Sequence, residues 1–264
     1  MRKGVWQAMH KISAFASRNA REILRDPLSY IFCLGFPLVM LVIMTLVDRS
    51  IPAEAGMTIF RIDNLAGGIA VFGLMFVMLF TAISVAKDRS GAFLMRMYAS
   101  PMTSVDFIAG YMLPMLAIAM AQGLLISLCA LIVSLLTGTA LSVGGLLLAL
   151  LPLLPSAVLF IGFGLLFGTL FNEKAAPGVC SIIISLGSFL GSIWFDAAAT
   201  GGVLLDISRC LPFHYCTGAV RAAMQLRLGW EDLWLPLLIV VGSAAVLSAL
   251  AALAFRRKMR TALS

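Results

Sequence analysis

The chain has 264 residues, of which 61% are hydrophobic and only 12% are charged. A soluble domain usually contains about 45–50% apolar and about 25% charged residues, so this composition excludes an ordinary soluble protein and indicates a membrane protein. The net charge of +7 comes from basic residues distributed among the connections between apolar segments. That distribution is typical of a topology signal and speaks against a nucleic-acid-binding surface.

Residues 1–26 predict an amphipathic helix that lies in the membrane interface. Apolar side chains, including Met9, Ile12 and Ile23, share one helical face, and the opposite face is directed at anionic headgroups. This polar face carries Lys3, Gln7, Lys11, Arg18, Arg21 and Arg25. Asp26-Pro27 ends the helix, since proline suits the first turn of the next one. The helix is either a topology anchor or a lever between cytoplasmic machinery and the first span.

Six stretches are long and apolar enough to cross a bilayer, which takes roughly 20 mostly uncharged residues. They are Leu28–Val47, Leu65–Ala86, Phe107–Thr137, Gly144–Phe171, Ala175–Phe195 and Leu233–Phe255. The boundary between the fourth and the fifth stretch is left open, because only a few residues separate them. The sequence predicts an all-α polytopic membrane protein with one transmembrane domain over residues 27–256 and a tail over residues 257–264.

Lys and Arg residues are unevenly divided between the two sides of this predicted bundle. Fourteen of the 19 lie before the first span, after the sixth, or in the second–third and fourth–fifth connections. Because basic residues are retained on the cytoplasmic side, both termini and residues 88–101 are predicted to be cytoplasmic, in a multi-pass protein of the plasma membrane.

Single-cysteine labelling checks this orientation. We expect Ser90→Cys to react with a membrane-impermeant maleimide only from the cytoplasmic side, and Ala140→Cys only from outside, because the basic connections stay inside. The measurement compares intact cells with inverted vesicles, and reversed accessibility would overturn the topology.

Between the second and third predicted spans lies a charged segment, KDRSGAFLMRMYASP, at residues 87–101. Phe93 with Met97, and Leu94 with Tyr98, are spaced i, i+4 and would share a face of a short helix that Ser100-Pro101 ends. A plain connection needs only a few polar residues, whereas an exposed face of aromatic and Met side chains favours a docking partner.

This segment, followed by VDFIAGYML, resembles the cytoplasmic loop of the type 2 ABC exporter permeases. RDPLSYIFCLGFPLVM is similar to the start of that family's first span, and LPFHYCTGAVRAAMQLRLGW resembles the signature before its last span. The resemblance covers nearly the whole chain, and the order and spacing of the three motifs agree. Ala92 and Leu94 replace the usual Thr and Glu of the loop, and Leu211 replaces the usual Asn before Pro212.

The resemblance implies the membrane subunit of an ATP-driven exporter, without catalytic residues or a bound cofactor of its own. Two cytoplasmic ATPase subunits would bind ATP and Mg, and a second permease subunit would complete a homodimer or a heterodimer. Residues 88–101 would be the coupling helix that docks on the ATPase. Its contacts would be Arg89, Gly91, Phe93, Leu94, Arg96, Met97, Tyr98 and Pro101.

Two observations on the residues agree with an external energy source. The chain contains no Gly-x-x-x-x-Gly-Lys-Ser/Thr loop with which to bind ATP. No Asp, Glu, Lys or Arg lies inside the six predicted spans, whereas an ion-coupled transporter normally needs ionisable groups there. An ion-coupled secondary transporter with carbonyl-based sodium sites, an intramembrane enzyme and a membrane scaffold stay as alternatives.

A small-residue stripe on the fifth span lets backbones approach closely. It consists of Ser181, Ser185, Ser188 and Ser192 and is either the subunit interface or a contact within one subunit; Gly164-x-x-x-Gly168 offers a second such surface. By the resemblance, the first and fifth spans meet the second permease, and residues 200–227 fold back as re-entrant helices with Pro212, Tyr215 and Arg221 at an external gate. Cys210 and Cys216 lie there too, and both a disulfide and two free thiols stay open.

Aromatic and Met side chains on the first two spans are candidates for the substrate pathway. They are Met40, Met44, Phe72, Phe76 and Phe80. Soft, polarisable linings suit hydrophobic substrates of variable shape, although rings that merely pack in the bundle would show the same spacing. We expect export of a drug-like, antibiotic or lipid-like compound; export of a polysaccharide or glycolipid is the alternative within the family.

Overall fold

The computed structural model describes residues 2–52, 58–91, 93, 102–195 and 200–263, and within these ranges every regular element is helical. The helices are α1 (Arg2–Leu24), α2 (Pro27–Ser50), α3 (Ile62–Ser90), α4 (Ser104–Thr137), α5 (Val143–Leu170), α6 (Ala176–Leu190), α7 (Gly202–Arg209), α8 (Pro212–Met224) and α9 (Leu235–Leu263). A π-helical turn, Ile31–Gly35, lies inside α2, and a second, Trp230–Trp234, leads into α9.

Five of the described helical segments are long and apolar enough to cross a bilayer. They are α2, α3, α4, α5 and Trp230–Met259. The remaining apolar helix, α6, has only 15 residues, about 22 Å at 1.5 Å per residue, against a hydrocarbon core of about 30 Å. The predicted count of six spans is therefore not confirmed. The predicted fifth span, Ala175–Phe195, was too long, since the helix ends at Leu190. The apolar composition continues after the backbone leaves the helix at Gly191 and Ser192, and Ser192 has a φ of 56°.

The centre of the bundle is α3, the most buried of the five candidate spans. It packs against α2, α4, α5, α6 and α8, and its most extensive contact is with α5. Glycines on α5 permit that contact: a Cβ atom at Gly164 would lie 2.5 Å from the carbonyl oxygen of Met78, and one at Gly168 would lie 2.6 Å from that of Ala82. The Gly164-x-x-x-Gly168 surface is thus a contact between two helices of the same chain.

A helix is present over Arg2–Leu24 as predicted, but the face that it buries overlaps the predicted apolar face only in part, and its place in the membrane interface stays a prediction. Phe15, Asn19 and Ile23 are buried, whereas Met9 is 64% exposed. α1 packs against α4. The polar residue Asn19 can be buried in this contact because its Nδ2 donates to the carbonyl oxygen of Gly110 at 3.1 Å. At the corner that follows, Asp26 caps α2 by accepting from the Leu28 amide and the Ser29 hydroxyl.

Gly168→Ala should destabilise the protein, because the added methyl group would meet the backbone of α3 and force α3 and α5 apart. Overpacking of this kind costs roughly 1–3 kcal/mol. Gly178→Ala is the matched control, since a Cβ atom there meets nothing within 4 Å. Thermal unfolding in detergent measures both variants, and equal midpoints would refute the close packing.

Candidate functional site

The last turn of α3 places a buried carboxylate, Asp88, among three helices. Asp88 is 6% exposed. Its two oxygens accept from Arg18 of α1 at 2.6 Å and 3.0 Å, and the hydroxyl of Tyr111 on α4 donates to Oδ2 at 2.7 Å. A paired guanidinium and carboxylate of this fork geometry forms strong, directional hydrogen bonds. One carboxylate therefore links α1, α3 and α4.

Further charged groups surround Arg18. Its guanidinium lies 2.8 Å from Glu22 Oε2, and Lys87 Nζ lies 3.6 Å from Glu22 Oε1. Burial acts to lower the pKa of Arg18, but the hydrogen bond and the negative charge of Asp88 outweigh it, so that pKa lies above its ordinary value. Arg18 was predicted on the face toward the headgroups; it is directed instead into the protein, because Asp88 supplies a buried partner.

Aromatic side chains pack around this ion pair. Phe15 stacks on Phe93 with 6.3 Å between ring centroids, and Arg18 Cζ lies 3.9 Å from the centroid of the Phe93 ring. The Phe15 ring also meets Phe107 and Tyr111 edge-on, at 5.4 Å and 5.0 Å. Cation–π contacts and edge-to-face pairs of this geometry are both favourable. The first part of the charged segment thus contacts α1 of the same chain.

Arg89, the residue after Asp88, binds a different neighbouring helix, α5. Its guanidinium donates to the carbonyl oxygens of Thr169, at 2.6 Å, and Phe171, at the C-terminal end of α5. A cation at a helix C-terminus satisfies unpaired carbonyl groups and interacts favourably with the helix dipole. Ser90 adds a hydrogen bond to Glu173 at 3.2 Å. We call Arg18, Asp88, Arg89 and Tyr111 the Asp88 junction; it connects α1, α3, α4 and α5.

The chain re-enters the bundle at a second fixed point. Thr103 caps α4, and its amide and hydroxyl both bind Asp106, at 2.8 Å and 2.9 Å, in a reciprocal capping box. Such a cap fixes the direction in which the chain enters a helix. Residues 94–101 therefore connect two fixed points.

The predicted coupling residues divide into two groups. Arg89 binds α5, Gly91 follows α3 as its C-cap and donates its amide to Lys87, and Phe93 is half-buried against α1. The others lie outside the described residues: Leu94, Arg96, Met97, Tyr98 and Pro101. Contact of all eight with an ATPase stays a prediction. Sequence reasoning missed Asp88 and Tyr111, although a lone carboxylate at the end of an apolar helix, surrounded by cations, is a signal for a buried ion pair.

The predicted substrate-pathway rings lie at the contact between α2 and α3. Phe72 and Phe76 are 6% and 9% exposed. Phe36 packs against both, and Trp194 lies 5.0 Å from Phe72 between ring centroids. Phe80, Met40 and Met44 are half-buried. The structure thus brings the five residues to one helix pair, and their role in substrate passage stays a prediction.

The serine stripe on α6 is split between two environments. Ser188 and Ser192 are buried within the chain, where the hydroxyl of Ser188 lies 3.7 Å from Met75 Sδ and that of Ser192 lies 3.3 Å from His214 Nδ1. Ser181 and Ser185 are exposed. Only these two lie on a surface that a second subunit can contact, because α6 turns its C-terminal end toward α3 and α8.

The predicted gate residues connect short helices to the start of α3. Pro212 begins α8, and Tyr215 donates to the carbonyl oxygen of Arg209 at the end of α7. Arg221 is half-buried and donates to the carbonyl oxygen of Asn64 at 2.8 Å. Gly67 permits this approach, since a Cβ atom there would lie 2.8 Å from Arg221 Cγ. Their function as a gate, and the re-entry of α7 and α8 into the membrane, stay predictions.

The described residues contain no cluster typical of a metal site or disulfide. No group of three or more His, Cys, Asp or Glu side chains is suitably placed for a metal ion in that part of the chain. Cys210 is exposed and Cys216 is buried, and both are free thiols.

Five long apolar helices, of which α3 is the most buried, define a multi-pass membrane protein, and the Asp88 junction joins four helices at one end of it. The family model for the ABC-2 type transporters matches residues 10–225, and the chain belongs to that family. It is therefore a permease of the ABC transporter class, whose members work with ATPase subunits. No curated protein is significantly similar to it.

Asp88→Asn should weaken the attachment of α1 by removing the charge that Arg18 and Tyr111 bind. Loss of one partner from a largely buried charged pair costs roughly 1–3 kcal/mol. Glu22→Gln is the control, because Glu22 is 41% exposed and an exposed pair contributes about 0–1 kcal/mol. Thermal unfolding in detergent and tryptic cleavage within α1 are the measurements. A larger effect of Glu22→Gln than of Asp88→Asn would contradict the assignment.

Proposed function

We propose that the chain is the transmembrane permease subunit of an ATP-driven exporter. Two cytoplasmic ABC ATPase subunits bind ATP and Mg and hydrolyse the nucleotide, and this chain carries the substrate outward through the plasma membrane. The sequence supports the need for a separate ATPase, because it holds no phosphate-binding loop.

One observation carries this proposal: the segment predicted to dock on the ATPase connects two fixed points. On one side Asp88 and Arg89 bind α1 and α5, and on the other the Thr103 capping box begins α4. A partner that displaces residues 94–101 would therefore act on four helices together. ATP binding can drive transport only if the ATPase contacts one permease conformation more favourably than the other, and a rigid attachment transmits that preference.

A second permease subunit completes the pathway in this proposal. The exposed surface of α6 supports it, because Ser181 and Ser185 lie beside the exposed apolar side chains Ile182 and Leu186. Small residues next to apolar ones suit close helix packing within a membrane. Either a homodimer or a heterodimer would bury this surface.

We infer that the substrate is hydrophobic or amphipathic, of the drug-like, antibiotic or lipid-like kind. The α2–α3 contact supports this, because it is formed by Phe, Met and aliphatic side chains. A polysaccharide pathway would favour Trp and Tyr for sugar stacking, and the chain has only four of each.

Substitution within the predicted coupling segment tests the ATPase partnership. We expect Met97→Ala/Tyr98→Ala to weaken ATPase binding about thirtyfold or more, since truncation of a central interface side chain commonly costs ~2 kcal/mol. The measurement is copurification of an ABC ATPase from native membranes, with export assayed in parallel.

Leu228→Ala/Trp230→Ala is the matched control at the opposite end of the bundle, where both side chains are exposed. It should leave ATPase binding unchanged. Wild-type ATPase binding and export by the Met97→Ala/Tyr98→Ala variant would transfer the coupling role to α1.

The substrate class is checked by ATPase stimulation of the reconstituted complex. We expect amphipathic drug-like and lipid-like compounds to stimulate hydrolysis, because they match the apolar α2–α3 contact, and a lipid-linked oligosaccharide to leave it at the basal rate. Stimulation by the oligosaccharide alone would favour polysaccharide export instead.

A further inference from the structure

A cavity of about 720 Å³ lies between the C-terminal half of α1, the corner that starts α2 and the last turns of α3. Two rows of side chains face each other across it, each with helical i, i+3, i+4, i+7 spacing. One row consists of Arg18, Arg21 and Glu22 of α1 together with Arg25 just after it, and the other consists of Phe80, Ile83, Ser84 and Lys87 of α3. The volume is that of a small-molecule site.

The charged end of this cavity has an excess of positive charge. Four cations and two carboxylates line it. Both carboxylates are already engaged: Asp26 caps α2, and Glu22 is shared by Arg18 and Lys87. Asp88 neutralises Arg18 from the other side. Arg21, in the last turn of α1, and Arg25, directly after it, are both exposed, and their two positive charges exceed the single negative charge of Asp26.

The other end of the cavity is apolar. Phe80 and Ile83 lie one to two turns deeper in α3 than Lys87, about 6–10 Å along the helix axis. Both are half-buried, and Phe80 packs against Phe32 of α2. The cavity therefore changes from basic to apolar in the direction in which α3 enters the predicted membrane span. A phospholipid is complementary to this cavity, because it has a negatively charged phosphate at one end and apolar acyl chains at the other.

We propose that this cavity binds the headgroup of an anionic phospholipid from the adjacent leaflet, which the distribution of basic residues predicts to be the cytoplasmic one. The phosphate binds Arg21 and Arg25, and the upper part of an acyl chain lies against Phe80 and Ile83. Guanidinium groups form strong paired hydrogen bonds with phosphate. Bound lipid would brace α1 against α3 beside the Asp88 junction.

Native mass spectrometry of the full-length chain in detergent tests this site. The probes are phosphatidylglycerol, phosphatidylcholine and soluble glycerol phosphate. We expect phosphatidylglycerol to be retained in preference to the other two, because only it combines net negative charge with acyl chains. Arg21→Gln/Arg25→Gln should weaken phosphatidylglycerol binding about thirtyfold, because each cation near a membrane surface contributes about fivefold.

Arg256→Gln/Lys258→Gln is the control with the same loss of charge at another exposed position, and it should retain phosphatidylglycerol as the parent does. Equal loss in both double variants would show attraction to net charge only and overturn the proposal. Binding of glycerol phosphate as tight as that of phosphatidylglycerol would identify a free-phosphate site and overturn the lipid assignment.

Discussion

The bidentate ion pair between Arg18 and Asp88 determines how the N-terminal helix is attached to the bundle. A buried carboxylate is costly unless it is paired and hydrogen-bonded, and Asp88 obtains both from Arg18 and Tyr111. These partners lie on α1 and α4, so satisfying one charge brings three helices together. The adjacent Arg89 adds α5 through carbonyl groups at its C-terminal end. Two consecutive residues thus hold four helices at the start of the predicted coupling segment.

This arrangement gives a physical meaning to a charged connection in an apolar protein. Within the predicted spans helices associate by close packing of small residues, as Gly164 and Gly168 do against α3. At the bundle end, where water and headgroups screen charge, polar contacts take over that role. If the segment that follows Asp88 and Arg89 couples to an ATPase, as we propose, a force on that segment would act on four connected helices together.

The membrane class, the N-terminal helix and the long spans could be predicted because they depend on local composition and on helical periodicity. The end of α6 could not, since Ile193 and Trp194 stay apolar after the backbone has left the helix. Arg18 looked like a residue of the solvated face because its partner is 70 positions away in the chain. For the same reason the sequence pattern of a single helix could not predict that the serine stripe divides, with Ser188 packed against Met75 of α3.

The Asp88 junction is tested most directly by the distance between two spin labels, one at Ala14→Cys on α1 and one at Lys174→Cys after α5. Both positions are exposed, and the labels are placed in a Cys210→Ser background. The distance is measured by pulsed electron resonance in the complex with its ATPase, with and without ATP. A rigid Asp88 junction predicts one narrow distribution that ATP leaves unchanged and that Asp88→Asn broadens. A shift of the parent distance on ATP binding, or an unchanged distribution in Asp88→Asn, would show that the Asp88 junction does not hold these helices together.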